Sequence, residues 1–191
     1  MTARGRSKRR SPRRAVMTLG LLTVLALLAG WAALQWAYPL KYTDAVEQYA
    51  AEYGLSPALI YGIIHTESRF RPDAVSSIGA RGLMQITEET FEWARWRCGD
   101  NDATYEQLFD PETNIRYGVY IFSLLLKEFG QPEEALAAYH AGWGSVKNWL
   151  STEEYSSDGV TLLNIPFKDT AQYVPRVKRA AQVYSRIYGK D

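Results

Sequence analysis

At 191 residues the chain has room for one domain and an appendage, and 47% hydrophobic with 13% aromatic content fills a core rather than a disordered coil. The net charge of +1 hides a segregation: residues 1–14 hold seven of the 22 Lys and Arg, whereas from Lys41 onward 15 basic residues face 21 acidic ones, a net of −6. A body with that balance is a poor polyanion binder, which counts against nucleic acid as a partner. The single cysteine, Cys98, excludes an intrachain disulfide and any multi-Cys metal site.

Residues 1–14 form a basic N-terminus, expected in the cytoplasm. Residues 15–40 follow without one charge. As a helix at ~1.5 Å per residue they reach about 39 Å, enough to cross a hydrocarbon layer of ~30 Å with some tilt. Trp31, Trp36 and Tyr38 cluster at the far end, where amphipathic rings suit a membrane interface. Positive charge on the near side places everything after Leu40 outside the cytoplasm. The competing reading is a cleaved signal peptide, whose apolar part runs only about 7–15 residues; an uncleaved anchor fits the length better.

From Lys41 to Asp191 the pattern is of short helices and turns. Asp44–Tyr53 has helical apolar spacing and stops at Gly54. Ser56-Pro57 supplies an N-cap and first-turn proline for a helix to Ser68. Residues 69–86 are turn-rich, with room for a short hairpin. Thr87 caps a helix from Glu88 to Arg97, and Thr104 with Gln107 forms a capping box. Asp110-Pro111 opens a long helix closed at Gly130. Shorter helices follow over Pro132–His140 and Ser145–Leu150, then a surface loop from Ser151 to Phe167. A last helix runs from near Asp169 to Tyr188 and is expected to bend at Pro175. The fold class expected is α+β, mainly helical.

One residue stands out on physical grounds. Ile60, Ile63, Ile64 and Glu67 share the i, i+3, i+4, i+7 stripe of a single helix. Burial against that stripe, and a place near the negative end of the helix dipole, both disfavour the carboxylate. Both raise the pKa, as a glycosidic general acid requires. The plainer alternative is a Glu paired with Arg69 or Arg71.

The segments after Glu67 tilt that balance. Glu67-Ser68 is followed by Ser76-Ser77-Ile78-Gly79-Ala80-Arg81-Gly82-Leu83-Met84-Gln85, by Ala138-Tyr139-His140-Ala141-Gly142, and by Tyr173-Val174. Together, in this order, they resemble the lytic transglycosylase family of the soluble-enzyme type, whose fold is that of goose-type lysozyme. The resemblance spans residues 43–188. It implies a lysozyme-like catalytic domain over 41–191 with Glu67 as catalytic acid/base. It implies substrate-binding roles for Ser68, Ser76, Met84, Gln85, Tyr139, His140 and Tyr173, with the Tyr173 hydroxyl on the catalytic carboxylate and Met84 lining the cleft. Gly79 and Gly82 are read as enablers of tight turns.

Two positions depart from the family pattern: His140 stands where Asn is usual, and Asp169-Thr170 where Glu-Thr is common. His140 introduces a group that titrates near neutral pH. No metal is expected, since His65 and His140 lack a spaced third ligand, and no cofactor. The partners implied are peptidoglycan glycan strands and, through residues 15–40, a membrane. The expected reaction cleaves the bond between N-acetylmuramic acid and N-acetylglucosamine, leaving a 1,6-anhydromuramoyl end. A lysozyme-like hydrolase and an inactive glycan-binding module are the alternatives.

Overall fold

The computed structural model describes residues 12–190, with side chains from Val16 onward; most of the basic segment 1–14 lies outside the described residues. Contacts divide the chain into two units at Leu40–Lys41. In the first, helix α1 (Pro12–Ala37) contains 22 residues, Val16–Ala37, of mean hydropathy 2.1, long and apolar enough to cross a membrane. Its large apolar side chains from Val16 to Leu28 are exposed.

The second unit is helical. Its elements are α2 (Thr43–Tyr53), α3 (Pro57–Glu67), α4 (Glu88–Cys98), a 3-10 turn (Tyr105–Phe109), α5 (Pro111–Phe129), α6 (Pro132–Ala141), α7 (Trp143–Leu150) and α8 (Lys168–Tyr188). Local chemistry sets most of these limits. The Ser56 hydroxyl accepts the Leu59 N–H at 3.3 Å, and the Asp110 carboxylate accepts that of Thr113 at 2.9 Å, each just before a first-turn proline. Thr87 caps α4 in the same way, and the Thr104 N–H donates to the Gln107 side chain at 2.8 Å. Helix α8 runs unbroken through Pro175 as one element, where the sequence suggested a bend.

Helices α3 and α8 form the most extensive helix pair, and α5 lies between α2 and α6. Gly62 makes the first pairing possible, since a Cβ there would lie 2.8 Å from the Val177 carbonyl oxygen. Ile60, Tyr61, Ile63 and Ile64 are fully buried, so the expected stripe is the face of α3 that enters the core.

Among the described residues there is no strand, so the α+β expectation reduces to a helical body with two isolated antiparallel bridges, Val75–Arg81 and Arg81–Ile86. The reason lies in how the 74–86 loop spends its backbone groups. The Ser76 N–H donates to the Ala80 carbonyl, while the Ser76 hydroxyl accepts the Ala80 N–H, both at 3.0 Å. The Tyr105 hydroxyl reaches the carbonyls of Gly79 (2.7 Å) and Ile86 (3.0 Å). Most important is Asn114, a fully buried residue of α5. Its Oδ1 accepts the Met84 N–H at 2.8 Å, and its Nδ2 donates to the carbonyls of Arg81 (3.0 Å) and Leu108 (2.8 Å). These side-chain partners replace a ladder, and the loop folds around them. Gly82, at φ 75°, has to be glycine, because a Cβ would sit 2.1 Å from Asn114 Nδ2.

Asn114→Asp keeps the acceptor but turns a donor into an oxygen facing two carbonyls. It is expected to destabilise the protein by about 2–5 kcal/mol. At roughly 2–4 °C per kcal/mol, the calorimetric midpoint falls by about 5–15 °C. An unchanged midpoint would show that the loop does not depend on this amide.

Candidate active site

Glu67 is the last residue of α3 and is half-buried. Burial pushes its pKa from the ordinary 4.5 up to about 7; interactions with Tyr173 and Arg176 oppose that rise but do not cancel it. The carboxyl therefore holds its proton near neutrality, the state a general acid needs.

Around it stand residues from three other segments. Tyr173, on α8, is buried, and its hydroxyl has no well-formed hydrogen bond besides its interaction with Glu67. Tyr139, on α6, donates its hydroxyl to the Met84 carbonyl at 2.8 Å. The pKa values of both tyrosines are raised by burial first and by the Glu67 charge second, so both stay neutral. His140 packs its ring 4.4 Å from that of Tyr173, and its Nδ1 shares a 2.9 Å hydrogen bond with Thr170 Oγ1. Burial and Arg176 lower its pKa, against the opposing pull of Asp169. The position expected to titrate near neutrality is thereby biased toward neutral imidazole.

Of the remaining sequence-predicted residues, Ser68, Ser76 and Met84 hold the local frame, and Gln85 does so while also lining the groove. Ser68 is buried at the C-cap of α3, its hydroxyl donating to the Ile64 carbonyl at 3.3 Å, which leaves it no face for substrate. Ser76 closes the loop turn described above. Met84 is fully buried against Gly118 of α5, so its side chain belongs to the core rather than to the cleft lining, and only its carbonyl serves the site. Gln85 is partly exposed at φ 49°, its Nε2 donating to Ala74 (3.2 Å) and Gly82 (2.9 Å) carbonyls, with Oε1 left as acceptor. Asp73, the nearest acid in sequence, is exposed.

Sequence reasoning missed three contributors. Asn114 holds the loop, Thr170 holds His140, and Arg176 bears on Glu67, His140 and Tyr173 together. Asn114 did carry a signal: it is a polar residue on the apolar α5 stripe with Gly118, Ile121 and Leu125. A groove of about 910 Å³ is lined by Gln85, Ala138 and Tyr139 among others; Glu67 does not itself line it, but its charge acts on the Tyr139 hydroxyl.

The arrangement is a lone protonated carboxyl among neutral donors, beside a groove. The family model for the transglycosylase SLT domain matches residues 44–160. The soluble lytic murein transglycosylase of Escherichia coli strain K12 is 33% identical over 175 residues, covering 89% of this chain and 27% of that protein. The membrane-bound lytic murein transglycosylase C of Mannheimia succiniciproducens is 30% identical over 171 residues, covering 76% of this chain and 47% of its own length. The chain thus spans about a quarter of the first relative and about half of the second. The crystal structure of the 70 kDa soluble lytic transglycosylase from Escherichia coli superposes with a TM-score of 0.73 at 30% identity, covering 88% of this chain and 28% of that one. By sequence and by fold, this chain belongs to the transglycosylase SLT domain family.

Proposed function

We propose that this protein is a membrane-anchored murein lytic transglycosylase that cuts the β-1,4 bond between N-acetylmuramic acid and N-acetylglucosamine and leaves a 1,6-anhydromuramoyl end. The observation that carries the reading is Glu67, whose pKa of about 7 is set by burial and by two partners, Tyr173 and Arg176, neither of them a carboxylate. A glycosidase built on two carboxylates needs a second one across the scissile bond. In this reading the substrate supplies the second function. Glu67 protonates the bridging oxygen as the C1–O bond breaks, and the muramoyl acetamido group stabilises the cation that forms at C1. The resulting Glu67 carboxylate takes the proton from the C6 hydroxyl as that oxygen bonds to C1. Glu67 ends protonated, ready for the next cycle, and no water is consumed. The hydroxyl is already tethered to the reacting sugar, so its attack gains a large effective molarity. Val16–Ala37 supports the anchor, and the relative named as membrane-bound agrees with it.

The acid form of Glu67 is the active one, so lysis of purified sacculi should fall as pH rises through about 7. Tyr173→Phe removes an interaction that favours the carboxylate and should shift that limb to higher pH; coincident profiles would sever the link between the two. Glu67→Gln should abolish lysis. It should also stabilise the fold: the folded-state pKa lies above 4.5, so stability is lost as pH rises from 4.5 through 7, by at most about 3 kcal/mol. A Gln variant that lyses sacculi normally would end the assignment.

Muropeptides released by the parent should be one water lighter than lysozyme products and resist borohydride reduction. Dominant reducible muramic acid would establish the hydrolase instead.

The full chain should sediment with membranes and resist carbonate extraction. Its recovery as a soluble form starting near Lys41 would show cleavage instead.

A further inference from the structure

The groove lined by Gln85 and Tyr139 is also lined by two tryptophans that the catalytic arrangement does not use. Trp143, at the start of α7, is 52% exposed and Trp93, on α4, is 41% exposed, whereas Trp149 on α7 is buried to 4%. Each of the two rings has a cation nearby: Lys147 Nζ lies 5.4 Å from the Trp143 ring centre, and Arg97 lies 5.8 Å from that of Trp93. Lys147 is itself paired with Glu128. Large rings left to solvent in a concave surface are costly unless something covers them.

We propose that Trp93 and Trp143 are stacking platforms for a β-1,4-linked amino-sugar strand, extending the grip on the glycan beyond the sugars at the scissile bond. The inference rests on the glycan-cleaving reading of Glu67 and adds to it where the strand runs. A pyranose ring carries C–H bonds on its faces and hydroxyls on its rim. The faces match the electron-rich face of an indole. The rim matches the hydroxyls of Thr87 and Thr90 and the free Oε1 of Gln85, which line the same groove. At about 910 Å³ the groove sits at the upper end of the ~300–1,000 Å³ usual for ligand sites, with room for more than one sugar. The other occupant of this neighbourhood is the stem peptide, rich in carboxylates. The groove offers it only a small surplus of cations, since Glu89 and Glu128 stand against Arg97, Lys127 and the Lys147 beside Trp143. Its continuity with Tyr139 places the strand, rather than a separate ligand, along these rings.

The test uses the full chain in detergent micelles, with Glu67→Gln to prevent turnover, and chitopentaose and chitobiose as probes in titration calorimetry. The pentamer should bind more tightly than the dimer. Trp143→Ala and Trp93→Ala should each weaken the pentamer by about tenfold, corresponding to ~1.4 kcal/mol per lost platform, and shrink its advantage over the dimer. Tyr at either position should restore most of it. Both rings are exposed, so circular dichroism should show intact folds. Equal affinities in parent and alanine variants would overturn the proposal. So would a loss confined to peptide-bearing muropeptides, which would assign the groove to the stem. The catalytic reading is judged separately, by sacculus lysis with Glu67 intact against Glu67→Gln.

Discussion

The side-chain amide of Asn114 fixes the geometry on which the site depends. It satisfies one N–H and two carbonyls in a region closed to water, and the loop from Ala74 to Ile86 has no ladder to replace it. A buried amide in this position gains little beyond what water offers an open loop, yet removing it leaves the Met84 N–H and the Leu108 carbonyl unpaired and the Arg81 carbonyl with the Ile86 N–H alone. That asymmetry makes it a specifying element. Gly82 has to be bare to let the amide in, and Met84 is turned inward against Gly118. The Met84 carbonyl is thereby presented to Tyr139, and Gln85 is set at the edge of the groove. A core contact on α5 thus places a tyrosine on α6 beside a carboxyl on α3.

Around this clamp the protein holds unfavourable states. Of the four non-glycine residues with positive φ among those described, Arg69 and Phe70 directly follow the Glu67-Ser68 pair and Gln85 ends the Ser76–Gln85 segment. Such conformations cost about 1–3 kcal/mol each and survive only where packing imposes them. At Phe70 the packing is visible: its ring is buried beside Tyr61 and Tyr184, each 6.2 Å away, which themselves stack at 5.0 Å. The positive-φ residues Arg69 and Phe70 reverse the chain just after α3 ends at Glu67. The buried carboxyl adds its own cost at neutral pH. The extensive α3–α8 interface offsets both, which is why the acid sits on that helix.

The helices were legible because their limits are local: Ser56-Pro57, Thr87, Asp110-Pro111, Gly54 and Gly130 are capping chemistry within a few residues. Glu67 was legible because a carboxylate on an apolar stripe is a conflict that structure has to resolve. Asn114 poses the same conflict on α5, but its partners lie 6 to 33 residues away, and no local pattern names them. The same distance problem hid the roles of Ser68, Ser76 and Met84. Motif resemblance marks positions near the chemistry without distinguishing side chains that face the cleft from those that hold it open. The side chains of Ser68 and Met84 are buried. The strand content failed for a related reason: turn signals between 69 and 86 are compatible with a hairpin until a side chain elsewhere takes the ladder's partners.

The site also has to tolerate a histidine beside an acid whose proton matters. A charged imidazole one ring from Glu67 would favour the carboxylate, lower its pKa and empty the general acid at neutral pH. The surroundings of His140 work against that charge. Burial and the Arg176 guanidinium both lower its pKa, and the Asp169 carboxylate only partly opposes them. The Thr170 hydroxyl, at 2.9 Å, gives Nδ1 a partner that is content with neutral imidazole. In that form the ring offers one donor and one acceptor, as an asparagine amide offers both, and its flat face rests on Tyr173. Arg176 therefore acts in two directions at once. It draws Glu67 slightly toward the carboxylate, and it discourages a second cation that would draw it much further.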